Sequence, residues 1–218
     1  LEEALAYFDN EAPPISRRLI WFDNVGFGYY PVDQTEAPYD DAYFHRYRGY
    51  AASRMGHVLN AARISMVERH WDGPVVDIGI GAGAFVEARP RTWGYDINPA
   101  ALHWLHSVER YWNPYIDPCQ AVTMWDSLEH IPRFHDLLGN VLGYAFISLP
   151  VFKDPYEAVK SRHFRPTEHC WYFTPDGLMR VMADLGWTCL EENWNETAIG
   201  RDSIASFAFA RSDFRLVW

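Results

Sequence analysis

The sequence predicts an α/β fold: a mostly parallel sheet with helices on both faces and an antiparallel pair of strands at one edge. Three observations predict it. From Gly73 onward, short apolar runs alternate with segments patterned as helices, the order that a parallel sheet with covering helices imposes. The stretch "GPVVDIGIGAG" ends an apolar run in a glycine-rich turn, the place where an open α/β sheet holds a ligand. The chain closes on two strand-like segments, "TCLEENWNE" and "SIASFAFAR", joined by a short turn containing "GRDS".

In chain order, residues 1–40 are rich in Pro, Gly and aromatics and read as an irregular cap with one short strand. From Asp41 to Trp71 there is no Pro, and Phe44, Tyr47, Ala51, Met55, Val58, Leu59, Ala62 and Met66 recur at helical spacing, which predicts one or two helices. "GPVVDI" is then a strand, "AFVEA" a short helix and "TWGYDI" a second strand. "PAALHWLHSVERYW" is a helix with Pro in its first turn. "AVTMW" is a strand, "SLEHIPRFHDLLGNV" a helical region and "YAFISLP" a strand. "TPDGLMRVMADLGW" is a helix capped by Thr174 and stopped by Gly186.

At 218 residues and 49% hydrophobic, the chain suffices for one well-cored unit. We expect residues 1–57 to form an N-terminal cap with lid helices and residues 58–218 the main domain. A net charge of -10 disfavours a broad nucleic-acid surface. Cys119, Cys170 and Cys189 cannot all pair within the chain, which fits a reducing, cytoplasmic setting. No apolar run approaches membrane-spanning length, so no membrane partner is expected.

Gly79, Gly81 and Gly83 let a ligand approach the backbone. Gly79-x-Gly81-x-x-Ala84 also satisfies a dinucleotide fingerprint, so the glycines alone leave the ligand open. Asp77 places a carboxylate where a pyrophosphate would have to sit, and so favours a cationic ligand. Asp96, ending the second strand, is placed to accept two ribose hydroxyls. A ribose and a cation without phosphates describe S-adenosylmethionine better than a nicotinamide dinucleotide.

"WDSLEHI" puts Asp126, Glu129 and His130 just after a strand. They read as a helix capping box, with Asp126 as the cap and Glu129 at the third position. They also read as a base or substrate contact, or as a divalent-metal site, since these spacings share a helix face. A second polar cluster, His163, Arg165, Glu168, His169 and Tyr172, lies in a long link suited to a substrate-facing lid or to a brace for one. His163, His169 and Cys170 as zinc ligands lack a supporting Cys pair. Tyr29, Tyr30, Tyr43 and Tyr47 would close the pocket from the cap or simply pack.

"VVDIGIGAGAF", "GYDINP" and "AVTMWDSLEHIP" together resemble the successive motifs of class I S-adenosylmethionine-dependent methyltransferases, in particular the group of ubiquinone-biosynthesis O-methyltransferases and small bacterial and phage methyltransferases. "LNAARISMV", "FISLP" and "EHCWYFTPDGLMRVMADLGW" extend the resemblance over roughly residues 58 to 210. It implies a Rossmann-like, seven-stranded sheet whose third strand, near "WNPYID", is hardly recognisable. It implies S-adenosylmethionine held by Arg63 (methionine carboxylate), Gly79 and Gly81 (methionine and ribose), Asp96 (ribose) and Trp125. Asp77, Ile80, Gly83, Ile97 and Asp126 complete the cofactor-binding set. Ile80 departs from the Cys or Ser usual there. In that group a similar acidic Glu-His motif is linked to a divalent metal, which here would fall on Asp126, Glu129 and His130. His130, His169 and Glu129 are then the catalytic candidates, and Tyr30, Tyr43, His163, Arg165 and Tyr172 the substrate candidates. A methyl group moved to an O, N or C of a small molecule is the leading expectation. A nucleotide or nucleic-acid acceptor, and a non-catalytic binding module, remain open.

Overall fold

The computed structural model describes residues 19–31 and 41–213, with the side chains of Asp41 and Tyr43 outside that description. Of the stretch read as an irregular cap, residues 1–40, only 19–31 are therefore among the described residues.

The central sheet has six strands in the order β4-β3-β5-β6-β9-β8: β3 Val75–Ile78, β4 Thr92–Tyr95, β5 Cys119–Trp125, β6 Val141–Pro150, β8 Trp187–Asn193 and β9 Ile204–Arg211. β4, β3, β5 and β6 are parallel; β9 runs antiparallel to both β6 and β8. The expected seventh strand is missing among the described residues. Its place holds one parallel bridge, Gly94 to Tyr111, fixed by Gly94 N donating to Arg110 O and Trp112 N to Gly94 O. Asn113, Pro114 and a turn at Asp117 follow at once, and Asp117 N donates back to Asn113 O, so the backbone leaves the sheet edge after that bridge.

Period-2 alternation divides the core. On β6, Tyr144 and Phe146 pack with Met66, Val67 and Phe85, whereas Ala145, Ile147 and Leu149 face Phe134, Leu137, Leu178 and Met182. The first group comes from helices α2 (Arg54–His70) and α3 (Ala84–Ala88), which follow α1 (Asp41–Ala51). The second comes from α5 (Phe134–Gly139) and α7 (Pro175–Asp184); α4 (Pro99–Ser107) covers the β4 edge. β6 is buried at nine of its ten positions, as a central strand should be, while β8 at the edge buries only Trp187 and then alternates exposed and half-buried residues. Helix α2 runs continuously across the expected 57/58 boundary.

The helix signals read from sequence act as expected at α7. Thr174 Oγ1 accepts from Gly177 N at 2.8 Å, and Gly186 takes a φ of +82° just past the helix. At α4, Asn98 caps and Pro99 opens the helix.

The link after β6 is not irregular. It holds α6 (Pro155–Lys160) and β7 (Trp171–Phe173), and β7 joins β1 (Ile20–Phe22) and β2 (Phe27–Tyr29) in a separate antiparallel sheet, β1-β2-β7. This small sheet rests on α7 through a glycine contact. A Cβ on Gly177 would stand 1.9 Å from the carbonyl oxygen of Gly26. Gly177→Ala is expected to cost about 2 kcal/mol by overpacking, read as a lowered Tm. An unchanged Tm would show that the small sheet slides freely over the helix.

Candidate functional site

The strand ends carrying Asp77, Asp96 and Asp126 lie at the same, carboxyl edge of the parallel sheet. A cavity of about 530 Å³ opens there between α1 and α2 on one side and the residue 161–169 link on the other.

The glycine loop forms its floor. Gly79, Gly81 and Gly83 adopt φ of +73°, +53° and +76°, the left-handed region that requires them. Gly79 and Gly81 line the cavity, as do Ile80 and Asp77. Gly83 instead makes room for Trp104, since a Cβ there would meet the indole at 2.5 Å, and it does not line the cavity. Asp77 accepts from Thr123 Oγ1 at 2.7 Å, and burial raises its carboxyl to about 7. Asp96 accepts Asn98 N at 2.8 Å, with further backbone hydrogen bonds from Gly81, Ile97 and Ile80, so it ties the loop to the end of β4. Neither Asp96 nor Ile97 lines the cavity, and Ile97 is 65% exposed.

Asp126 corrects the capping-box reading. Its φ is +56°, and it caps no helix: Ser127 precedes a short 3₁₀ turn, Leu128–His130, with no side-chain cap. Its carboxylate is shared by two arginines. Arg63 Nη2 donates to Oδ2 at 3.0 Å, Arg201 Nη1 to Oδ2 at 2.8 Å, and Arg201 Nη2 to Oδ1 at 3.0 Å. Burial alone would raise Asp126, but Arg201 and Arg63 outweigh it and hold the carboxyl at about 2. Both arginines also grip the buried Glu196, Arg63 Nε at 2.7 Å from Oε1. Arg63 further lies over the Trp125 ring, 5.1 Å from its centroid, and Trp125 lines the cavity. Glu196 and Arg201 escaped the sequence reading. Glu196 lies in a one-turn helix, α8 (Asn195–Ala198), and Arg201 just after it, in a stretch that looks like an ordinary turn, and nothing local marks their pairing.

Glu129, on the 3₁₀ turn, is 1% exposed, and neither carboxylate oxygen has a hydrogen-bond partner among the described residues. Burial, reinforced by the Asp126 charge, raises its carboxyl well above the ordinary value. His130 Nδ1 lies 3.0 Å from Glu168 O, and its ring meets that of His169 edge-on, centroids 4.5 Å apart. Burial lowers both imidazoles, His169 to about 2, so both are neutral at neutral pH. One ligand atom each from Glu129, His130 and His169 falls within 4.8 Å of the others. The expected metal set of Asp126, Glu129 and His130 is thus corrected: arginines occupy Asp126, and His169 takes its place in the cluster. Cys170 is not part of this cluster among the described residues; its N–H and thiol both donate to Glu129 O.

Among the substrate candidates, Arg165 and His163 line the cavity. Arg165 pairs with Glu168 at 3.2 Å, and His163 Nε2 meets Asp202 O at 2.9 Å. Tyr172 is a correction: it is fully buried in a cluster with Phe152 and Ala158. Tyr30 is another, packed edge-on against Phe164 at 5.8 Å outside the cavity wall. Tyr43 lies on α1 with its side chain outside the described residues. Tyr47 does line the cavity.

A family model described as a methyltransferase domain matches residues 20–192. No curated protein matches the chain. Among solved structures, magnesium protoporphyrin IX methyltransferase from Synechocystis PCC 6803, with bound S-adenosylhomocysteine, is similar at TM-score 0.54 and 15% identity, covering 79% of this chain and 95% of that one. A SAM-dependent methyltransferase from Archaeoglobus fulgidus is similar at TM-score 0.53 and 18% identity, covering 78% and 100%. The 1,6-didemethyltoxoflavin-N1-methyltransferase of Burkholderia thailandensis is similar at TM-score 0.53 and 12% identity, covering 90% and 100%. At these identities the likeness is one of fold.

Proposed function

The chain belongs to the methyltransferase domain family, and we propose that it moves a methyl group from S-adenosylmethionine to an oxygen or nitrogen of a small-molecule acceptor. One observation carries the reading: the glycine loop with Asp77 opens into the same cavity as the carboxyl of Glu129, which has no hydrogen-bond partner among the described residues. The residues present fit the cofactor. Gly79 and Gly81 leave the loop backbone bare, Asp77 supplies a carboxylate to a cation, and Arg63 supplies N–H donors to a carboxylate. Asp96, expected at the ribose, does not line the cavity but ties the glycine loop to the end of β4 beside it. When bound, the sulfonium supplies an electrophilic methyl group.

The chain's own residues then divide the work. Glu129, its carboxyl raised by burial and so made a stronger base than an exposed carboxylate, holds or takes the acceptor's proton. His130 and His169, kept neutral, orient the acceptor by hydrogen bonds rather than by charge. Tyr47 and Trp125 supply apolar walls that exclude water. The structural neighbours named for porphyrin and toxoflavin methylation favour a small acceptor here, as does the net charge of -10. A nucleotide acceptor is less favoured because Arg165 is already paired with Glu168. The "WDSLEHIP" stretch supports kinship with the ubiquinone-type group. The three free cysteines support a cytoplasmic setting, and among the described residues no helix is long and apolar enough to cross a membrane.

Asp77 gives the test. A bound sulfonium would pull its carboxyl below the free value of about 7, so binding would release a proton. Affinity for S-adenosylmethionine should therefore rise about tenfold from pH 6 to pH 8, and Asp77→Asn should flatten that rise. S-adenosylhomocysteine, lacking the sulfonium, should show little of it. Calorimetry finding NADH bound and both adenosyl ligands ignored would end the reading.

A second reading rests on Glu129, His130 and His169 as a carboxylate and two imidazoles around one point. That donor set suits zinc, iron(II) or manganese(II) better than magnesium. If it holds, those ions raise the Tm and a chelator abolishes turnover. Full turnover in excess chelator with no Tm shift removes it.

A further inference from the structure

We propose that Arg201, anchored by the buried carboxylate of Glu196, is a second grip on the amino-acid end of the cofactor, delivered from the β8–β9 connection on the antiparallel edge of the sheet. The inference rests on S-adenosylmethionine being the ligand of this cavity.

The geometry places two guanidinium groups side by side. Arg63 and Arg201 converge on one oxygen of Asp126, at 3.0 and 2.8 Å, and both also bond Oε2 of Glu196. Both line the cavity, with side chains 15% and 28% exposed, and Asp126 is likewise 28% exposed, whereas Glu196 is 2% exposed. Glu196 therefore acts from behind and the other three face the ligand. Three N–H···O bonds commit the Nη1 and Nη2 groups of Arg201 to Asp126 and Glu196, and its Nε makes no hydrogen bond among the described residues. Two arginines and two carboxylates balance in charge. A ligand that brings one carboxylate and one ammonium leaves the balance intact: its carboxylate meets the arginine pair and its ammonium meets Asp126. An α-amino acid end has that chemistry.

The connection is built to hold Arg201 still. Arg201 N donates to Glu196 O at 2.9 Å, and Thr197 Oγ1 donates to Ile204 O at 2.8 Å while accepting from Ile204 N at 3.0 Å. Backbone and side chain of Glu196 thus fix the same arginine. Glu196 is a positioning residue, acting through Arg63 and Arg201; Arg201 is a binding residue.

Calorimetry with two probes tests this. S-adenosylhomocysteine carries the amino-acid end, and 5′-methylthioadenosine lacks it. Arg201→Met should weaken S-adenosylhomocysteine about tenfold, the loss of a charge-assisted hydrogen bond, and leave methylthioadenosine unchanged. Arg201→Lys should recover only part, since an ammonium cannot bridge two carboxylates and a ligand at once. Glu196→Gln should give a smaller loss of the same selectivity. A wild-type chain that binds neither probe would sink the cofactor reading. A wild-type chain that binds both, with Arg201→Met leaving the ratio of the two affinities unchanged, would overturn this proposal alone, whether or not the variant's Tm falls.

Discussion

Glu129→Gln is expected to lower the single-turnover rate by on the order of 10²-fold, the ordinary worth of a general base, with cofactor affinity nearly unchanged. Gln keeps the shape of the protonated carboxyl and would fully serve a capping box, so a cap would predict no loss. The structure shows no cap to serve: both Glu129 oxygens are buried beside His130 and His169 with no hydrogen-bond partner among the described residues. The sign of the pH effect follows from the raised carboxyl. The base form appears as pH rises, so wild-type rate should climb through the raised value and the variant should lose that climb. Stability runs the other way. A carboxyl raised on folding contributes stability below its unfolded value, and that contribution is lost as pH rises through the folded one. Gln carries no charge to bury, so Glu129→Gln should melt no lower than wild type at pH 8, and higher if anything. Lost turnover with retained or improved Tm marks a group kept for chemistry at the expense of stability. A variant with near-normal turnover would move the proton elsewhere and leave Glu129 without a function.

The sequence told much about this site where the constraint is local. Left-handed backbone at Gly79 and Gly81 calls for glycine, and an apolar run before it calls for a strand; both requirements are visible in eleven letters, "VVDIGIGAGAF". Thr174 and Gly186 bracket α7 for equally local reasons. What escaped depends on distant partners. β1, β2 and β7 have three residues each, too few to show a period, and β7 finds its pair in β2 near the other end of the chain. Tyr172 looked like a substrate contact because its neighbours His169 and Arg165 are polar, but alternation along β7 turns it into a separate core. Asp126 read as a cap because a capping acid and an acid with φ of +56° share the same local sequence. Arg201, 75 residues away, makes the difference.

That distant partner gives the second large effect, on stability. Asp126→Asn keeps the side-chain shape and a residue type that tolerates the left-handed region, and removes only the charge. Arg63 and Arg201 then face each other with Glu196 as their one remaining carboxylate in the group. The fall of the Asp126 carboxyl from 3.8 to about 2 corresponds to stability on the order of 2 kcal/mol at neutral pH, the scale expected for breaking an ion pair whose side chains keep some contact with solvent. Because the folded value is depressed, this stability is present above the unfolded value and lost as pH falls through the folded one. Denaturant titrations should thus show wild type ahead by on the order of 2 kcal/mol at pH 7, the gap narrowing below pH 4 and nearly closed by pH 2. A gap that stays constant over that range would mean that the substitution harms the fold by shape or backbone strain. The two arginines would then not depend on the Asp126 charge, and the quartet could not be the charge-balanced seat for an amino-acid zwitterion.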